Sequence, residues 1–367
     1  MTRRDNLAVE PWIPMLRQDG TSTRVGIMEA LADARAIRTI AASNPMDRVA
    51  LLRFLLAVLH WCKPALTEIE TTRLDRARGI PEDWLGSLGT RANPEHAFDL
   101  LGPGPRFYQE DPPTGARRPI GDLLVEFPTD TKIAHFRHVR DGEYGFCPAC
   151  CALGIVRFCT FANAYGGGRY TAAVNGPTPA YAIEQAQTLF GTLRRNWPVE
   201  RLVRRRDPPW ICASRPAKEA LDLVAAFAWR SRTMRLEDPQ AEGVCANCGE
   251  CTALIHHVNF KGGWKPFDAG EQQKKFWEFD PHLVLEYEPS TGDEGTCDGE
   301  ADEGDRGQKR TLGFPSPSSH VATHVGFWRR AGRAIVEGRR ADGRGDHRVT
   351  IAGPAANKGL YQDAAFF

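Results

Sequence analysis

Apolar and polar positions divide the front of the chain into short, well-marked elements. In EPWIPMLRQDG, Trp12 and Ile13 lead into a polar turn, which predicts a short strand. VGIMEALADARAIRTIAAS follows with Ile27, Leu31 and Ala34 at helical spacing, so a helix is expected up to the Asn44-Pro45 pair. Asparagine before proline is a helix start: the side chain caps free N–H groups, and proline tolerates the first helical position. The helix predicted from Met46 to about Trp61 is apolar on nearly every side, which places it inside a core rather than on a surface.

Asn93-Pro94 repeats the start signal before EHAFDLL, and residues 102–119 form a loop rich in proline and glycine. A helical pattern runs from Cys147 to about Thr160 and is broken by AYGGGRY; further helices are expected near 181–195 and 215–229. TMRLEDPQAEGVCANCGECTALIHHVNF has the pattern strand, knuckle, strand. Residues 289–310 are acidic, rich in glycine and nearly free of apolar side chains, so a disordered insertion is expected there. VATHVGFWRRAGRAIVEG predicts a last helix.

Charge changes this picture little. Lys and Arg number 47 against 46 acidic residues, a formal charge of +1, so bulk charge does not mark a nucleic-acid binder. Arginines cluster at 194–206 and 329–348, which leaves room for basic stripes beside the plainer reading of solvated helix faces. The amino terminus lacks the apolar run of a signal peptide, and VALLRFLLAVLHWC is too short to span a bilayer and carries Arg53. A cytoplasmic protein with no membrane partner is expected, with its ten cysteines reduced.

In that setting closely spaced thiols point to metal or catalysis before disulfides. Cys147 and Cys150 form one C-x-x-C pair; Cys245 and Cys248 form a second, followed by Gly249. Each knuckle turns two sulfurs toward one point, and two knuckles complete the tetrahedral shell that zinc prefers. Four sulfurs leave no open position, so the expected cofactor is one structural zinc ion that stabilises folding and does no chemistry. Cys151 and Cys251 are alternative ligands. Incidental buried thiols are the plain alternative, and a redox pair is weaker because the flanking strand pattern is missing.

CANCGECTALIHHVNFKGG also resembles the start of an HNH nuclease, in which one histidine activates water and another holds metal. His256 and His257 would carry that role, yet the next histidine, His282, has no partner beside it. Gly166, Gly167 and Gly168 let a backbone lie flat against a ligand, with Arg169 placed to reach a phosphate; a flexible turn is the plain alternative. In AHFRHVRD, Phe136 can stack on a base while Arg137 and His138 hold a backbone, or Phe136 can plug a core.

Taken in order, EPWIPM, ALLRFLLAVLHW, RFYQ, AHFRH, CPACC, AYGGGRYTAAVNGPTP, CANCG and FDPHLVL resemble the large subunit of the type I-E CRISPR surveillance complex Cascade, the CasA family. The resemblance covers essentially the whole chain. It implies an α+β fold of mixed helices and small sheets, irregular and zinc-stabilised, with residues 1–367 forming the family's N-terminal-type domain. The family's C-terminal four-helix bundle is expected to be absent, in a variant complex where another subunit supplies the nuclease or the bundle.

The implied function is non-catalytic. Such a subunit reads the protospacer-adjacent motif in double-stranded target DNA from the minor groove, starts strand separation and contacts the crRNA 5′ handle. The resemblance assigns Gly166, Gly167, Gly168 and Arg169 to the glycine loop, with Ala164 where the family has a further glycine. Lys265 is the lysine finger, with Lys261 as alternative; Asn357, Lys358 or Gln362 is the wedge. Phe136, Arg137 and His138 match the handle-binding loop, and Cys147, Cys150, Cys245 and Cys248 the zinc ligands. Implied partners are crRNA, target DNA, the backbone, handle-binding and small Cascade subunits, and a nuclease-bearing subunit or helicase-nuclease.

Overall fold

Residues 5–89, 97–111, 115–124, 127, 144–161, 181–197, 207–211, 222–228, 230, 233–261, 282, 348–357 and 360–366 are described by the computed structural model. β1 (Ile13–Arg17) leaves the expected strand through a turn in which Gly20 adopts φ +88°, a left-handed conformation that suits glycine. It pairs antiparallel with β2 (Ser22–Val25) on one side and β3 (Ile37–Ile40) on the other.

The helix expected up to Asn44 is cut short. α1 covers Ile27–Ala32 only, and the chain turns at Asp33 into β3. Ile37 and Ile40 bury their side chains while Arg38 points outward, so a strand on the edge of β1 uses these β-branched residues better than a further helical turn.

α2 (Pro45–Cys62) is the centre of the molecule. Asn44 caps it, its side chain accepting from the N–H of Met46 at 2.9 Å, with Pro45 at the first position. Every residue from Val49 to His60 is buried. α2 packs against α5 (Pro148–Phe161) and α7 (Leu223–Phe227), and also meets β3, α6 (Leu189–Asn196), β10 (Arg348–Asn357) and β11 (Leu360–Phe366). α3 (Glu68–Arg76) starts with a capping box between Thr67 and Glu70, and α4 is the single turn Gly86–Gly89.

A helix enclosed on all sides must satisfy its charged residues internally. Asp47 meets Arg157 of α5 at 3.2 Å, both almost fully buried. Arg53 donates to the carbonyl of Ala226 at 2.9 Å and to Nδ1 of His282 at 3.2 Å, and its guanidinium lies 3.9 Å from the ring centre of Tyr181. The His282 ring in turn stacks on Phe227 with centroids 4.7 Å apart. Among the described residues His60 has no hydrogen-bond partner; it rests edge-on to Trp197 and tilted against Phe227.

Two further expectations shift. β5 (Tyr181–Gln185) replaces the first half of the helix expected at 181–195, and α6 starts only after Thr188, whose hydroxyl accepts from the N–H of Gly191. Sheet β11-β10-β5 explains the change, since β10 supplies a strand partner more than 160 residues away. EHAFDLL shows no helix in its described part: Ala97 and Phe98 form a turn, and Asp99 bridges to Asn6. Of the helix expected near 215–229, the described portion is the short α7, capped by Asp222. Residues 289–310 and the last predicted helix lie outside the described residues. Among the described residues, no helix is long and apolar enough to cross a membrane.

RFYQ is wholly structural. Arg106 donates to the carbonyl of Leu236 and to Asp238, Gln109 accepts from the N–H of Leu236, and the Tyr108 hydroxyl donates to the carbonyl of Ala228. Phe107 joins Trp12, Phe54 and Phe98 in one aromatic cluster.

Asp47→Ala leaves the Arg157 cation buried without its partner carboxylate, and equilibrium denaturation is expected to show a loss of about 3–5 kcal/mol. Burial pushes the His60 pKa from 6.5 down to about 3. The neutral ring's contribution is therefore intact above pH 6.5 and is lost as pH falls toward 3, because only the unfolded state takes up the proton. Denaturation at pH 7 and pH 5 should differ by about 2 kcal/mol from this residue, and His60→Leu should remove that share.

Candidate metal centre

The first knuckle sits at the entrance to α5, the second at the tip of a hairpin between β7 (Glu242–Val244) and β8 (Cys251–Ala253). Backbone pairing brings them together. Phe146 and Ile255 exchange N–H to carbonyl bonds of 3.0 and 2.9 Å, and the N–H of Ala246 donates to the carbonyl of Gly145 at 3.0 Å. Gly145 suits this approach: a Cβ there would lie 2.7 Å from Cδ1 of Leu254 and 2.8 Å from Cε1 of His256, so those side chains would have to shift. At the second knuckle Gly249 takes φ +78°, and its N–H closes the turn on the carbonyl of Cys245 at 2.8 Å.

The result is a sulfur cluster. Sγ atoms of Cys147, Cys150, Cys245 and Cys248 all lie within 4.8 Å of one another. Cys147 and Cys248 approach to 3.7 Å, close to the edge of about 3.8 Å that tetrahedral zinc–sulfur bonds of ~2.3 Å would give. Backbone N–H groups support the sulfurs: that of Cys147 donates to Sγ of Cys245 at 3.2 Å and that of Cys150 to Sγ of Cys147 at 3.4 Å. Asn247 donates to Sγ of Cys150 at 3.3 Å. Three of the four cysteines are buried and Cys248 is exposed.

Crowded thiols cannot all ionise by themselves. Hydrogen bonds from Cys147 and Cys150 hold the Cys245 pKa down, whereas hydrogen bonding with Cys147 and Cys245, with burial, drives that of Cys150 up. At Cys147 the lowering effect of Cys150 is outweighed by Cys245 and burial, and its pKa is pushed up to about 12. A divalent cation reverses this, because its charge stabilises all four thiolates together. Four convergent sulfurs with donated N–H support fit a structural metal ion.

The alternative ligands fall outside the cluster. Cys151 is buried with its thiol 3.9 Å from the carbonyl of Phe146, and burial drives its pKa well up. Cys251 is exposed in β8. His256 and His257 are turned to separate tasks. Nδ1 of His256 contacts the carbonyl of Tyr144 at 3.1 Å; Nδ1 of His257, at the start of β9 (His257–Lys261), lies 2.8 Å from Arg117 and 3.6 Å from Glu237. Among the described residues neither histidine joins a group able to hold a metal. His282, next in the sequence, is buried on α2.

β9 is the central strand of β4-β9-β6, between β4 (Ala116–Pro119) and β6 (Thr233–Leu236), and its last residue is Lys261. Asn357 ends β10 opposite Leu360 of β11, in which Gln362 also lies. Phe136, Arg137, His138, Gly166, Gly167, Gly168, Arg169, Lys265 and Lys358 lie outside the described residues. Two contacts had no clear signal in the sequence: Asn247 inside the second knuckle, and Arg24 of β2, which pairs with Glu250 beside Cys248.

Comparison with known proteins places the fold. The family model described as CRISPR-associated protein Cse1 matches residues 6–307. The chain belongs to the Cse1 family. The CasA/Cse1 protein of Thermus thermophilus is 47% identical to this Cse1-family chain over 139 residues, 37% of the chain and 27% of the relative. That match spans well under two thirds of the relative's length. Among solved structures, Cse1 of Acidimicrobium ferrooxidans superposes with a TM-score of 0.66 at 19% identity, covering 100% of this chain and 70% of that one. CasA of Thermus thermophilus gives 0.62 at 22%, covering 100% and 72%. A chain of a CRISPR RNA-guided surveillance complex in a pre-nicking state gives 0.64 at 14%, covering 99% and 73%. These likenesses carry the fold, and the helices and small sheets of this Cse1-family chain agree with the expected α+β class.

Cys245→Ser is expected to lose bound metal and lower the thermal midpoint, while Cys151→Ala keeps the full metal content. Elemental analysis of the purified variants, with thermal unfolding, checks both; metal loss in Cys151→Ala would move that residue into the ligand set.

Proposed function

We propose that this chain is a non-catalytic large subunit of a type I-E Cascade-like ribonucleoprotein, held together by one zinc ion, that recognises the protospacer-adjacent motif in duplex DNA. Membership of the Cse1 family supports the assembly, and the presence of a surveillance-complex chain among the similar folds agrees with it. Partners on this reading are crRNA, target DNA, the backbone, handle-binding and small subunits, and a nuclease-bearing subunit or helicase-nuclease that cuts.

The observation that carries the reading is where the cysteine cluster sits. It anchors the start of α5 and the hairpin that leads to β9. The segment with Phe136, Arg137 and His138 precedes the first knuckle, the segment with Gly166, Gly167, Gly168 and Arg169 follows α5, and Lys265 follows β9. All three candidate nucleic-acid segments are therefore continuous in sequence with elements that one metal ion would brace.

The chemistry suits the task. Minor-groove edges offer a coarse pattern that backbone groups and a lysine can read, so a glycine loop with Lys265, or Lys261, is sufficient. Asn357 or Lys358, or Gln362 nearby, would act as the wedge that unstacks the first step. Sequence recognition beyond the motif belongs to pairing with the guide. Phe136 would stack on a handle base while Arg137 and His138 hold the backbone. Zinc is favoured over other thiophilic metals because a closed four-thiolate cage asks for no redox change or open position.

In a complex reconstituted with guide RNA and the remaining subunits, Lys265→Ala should weaken binding to motif-bearing duplex by about 1–3 kcal/mol. Gel-shift titration at fixed salt measures this. Unchanged affinity removes Lys265 from the interface, and failure of the chain to join any guide-bearing complex sinks the whole reading.

A further inference from the structure

The four-thiolate cluster has an uneven electrostatic environment. Cys147, Cys150 and Cys245 are buried behind α5 and the hairpin, whereas Cys248 is exposed. Four thiolates around a divalent cation carry a net charge of about −2. Glu250 adds another negative group at this open corner, with Oε2 4.0 Å from Sγ of Cys248. Its backbone cannot swing away freely, because the N–H of Cys245 donates to the Glu250 carbonyl at 2.8 Å.

Arg24 opposes this accumulation. It reaches from β2 of the amino-terminal sheet, and its Nη1 pairs with Oε2 of Glu250 across 226 positions of sequence. Its side chain is only 31% exposed. Arg24 thus brings a cation to the corner of the cluster that water can reach.

We propose that Arg24 is a positioning residue of the metal centre: through Glu250 it offsets the charge of the cage at Cys248 and ties the second knuckle to the amino-terminal sheet. This rests on the metal reading above and goes beyond it. The exposed corner is where a competing chelator or an electrophile would first gain a sulfur. With Arg24 in place, Glu250 is neutralised and Cys248 stays on the metal; without it, the repelled carboxylate and thiolate open that corner first.

The test uses the full-length, zinc-loaded protein. Transfer of zinc to a chromogenic chelator is followed for the parent, Arg24→Gln, Arg24→Lys, the double variant Arg24→Gln with Glu250→Gln, and Arg73→Gln. Arg73→Gln breaks the exposed pair with Asp83 and serves as a control for a lost surface ion pair remote in sequence from the knuckles. Arg24→Gln should weaken zinc affinity about 10-fold, in the range known for groups that support metal ligands, and speed alkylation of Cys248. Arg24→Lys and the double variant should each recover part of the loss, since one restores the cation and the other removes the opposing anion. Equal zinc retention in Arg24→Gln and Arg73→Gln overturns the proposal, as does a double variant no better than Arg24→Gln. Parent protein that binds no zinc overturns the metal reading itself, and the role of Arg24 with it.

Discussion

The enclosure of α2 governs this structure. A helix buried from Val49 to His60 has no solvent face on which to place charge, so its charged residues require partners from elsewhere in the chain, while His60 stays neutral among aromatic rings. Asp47 draws in α5 through Arg157, and Arg53 draws in α7, β5 and His282 through a carbonyl, a ring face and an imidazole. These demands decide which segments surround α2. They also fix α5, the helix that carries the first cysteine knuckle.

The metal centre follows from that placement. α5 enters at the Phe146–Ile255 bridge, and the glycine at 145 lets the hairpin come close enough for the second pair of sulfurs to meet the first. Such a cluster costs free energy unless a cation balances it, because crowded thiolates repel one another and thiols leave weak hydrogen bonds. A structural ion would therefore return its binding energy directly as folding energy. The segments proposed to touch nucleic acid are continuous in sequence with these elements.

Several motifs that make the chain resemble its family prove to be packing. Arg106, Phe107, Tyr108 and Gln109 serve the core, Trp12 donates its indole N–H to the carbonyl of Leu7, and His282 accepts from Arg53 while its ring stacks on Phe227. Of the residues proposed to read DNA, Lys261, Asn357 and Gln362 lie in strands, and the others lie outside the described residues.

What the sequence determined by itself were features set by near neighbours along the chain. The Asn44-Pro45 cap, the all-round apolar helix after it and the two C-x-x-C knuckles are local patterns, legible because capping and a tight turn act over a few residues. Tertiary structure alone decided the rest. IRTI became β3 because β1 offered it an edge, and residues 181–185 became β5 because β10 arrived from the far end of the chain. The selection of four cysteines with Cys151 and Cys251 left out, the separate engagement of His256 and His257, and the reach of Arg24 to Glu250 were decided in the same way. Each depends on a contact between distant segments, and no local pattern encodes the distance between them.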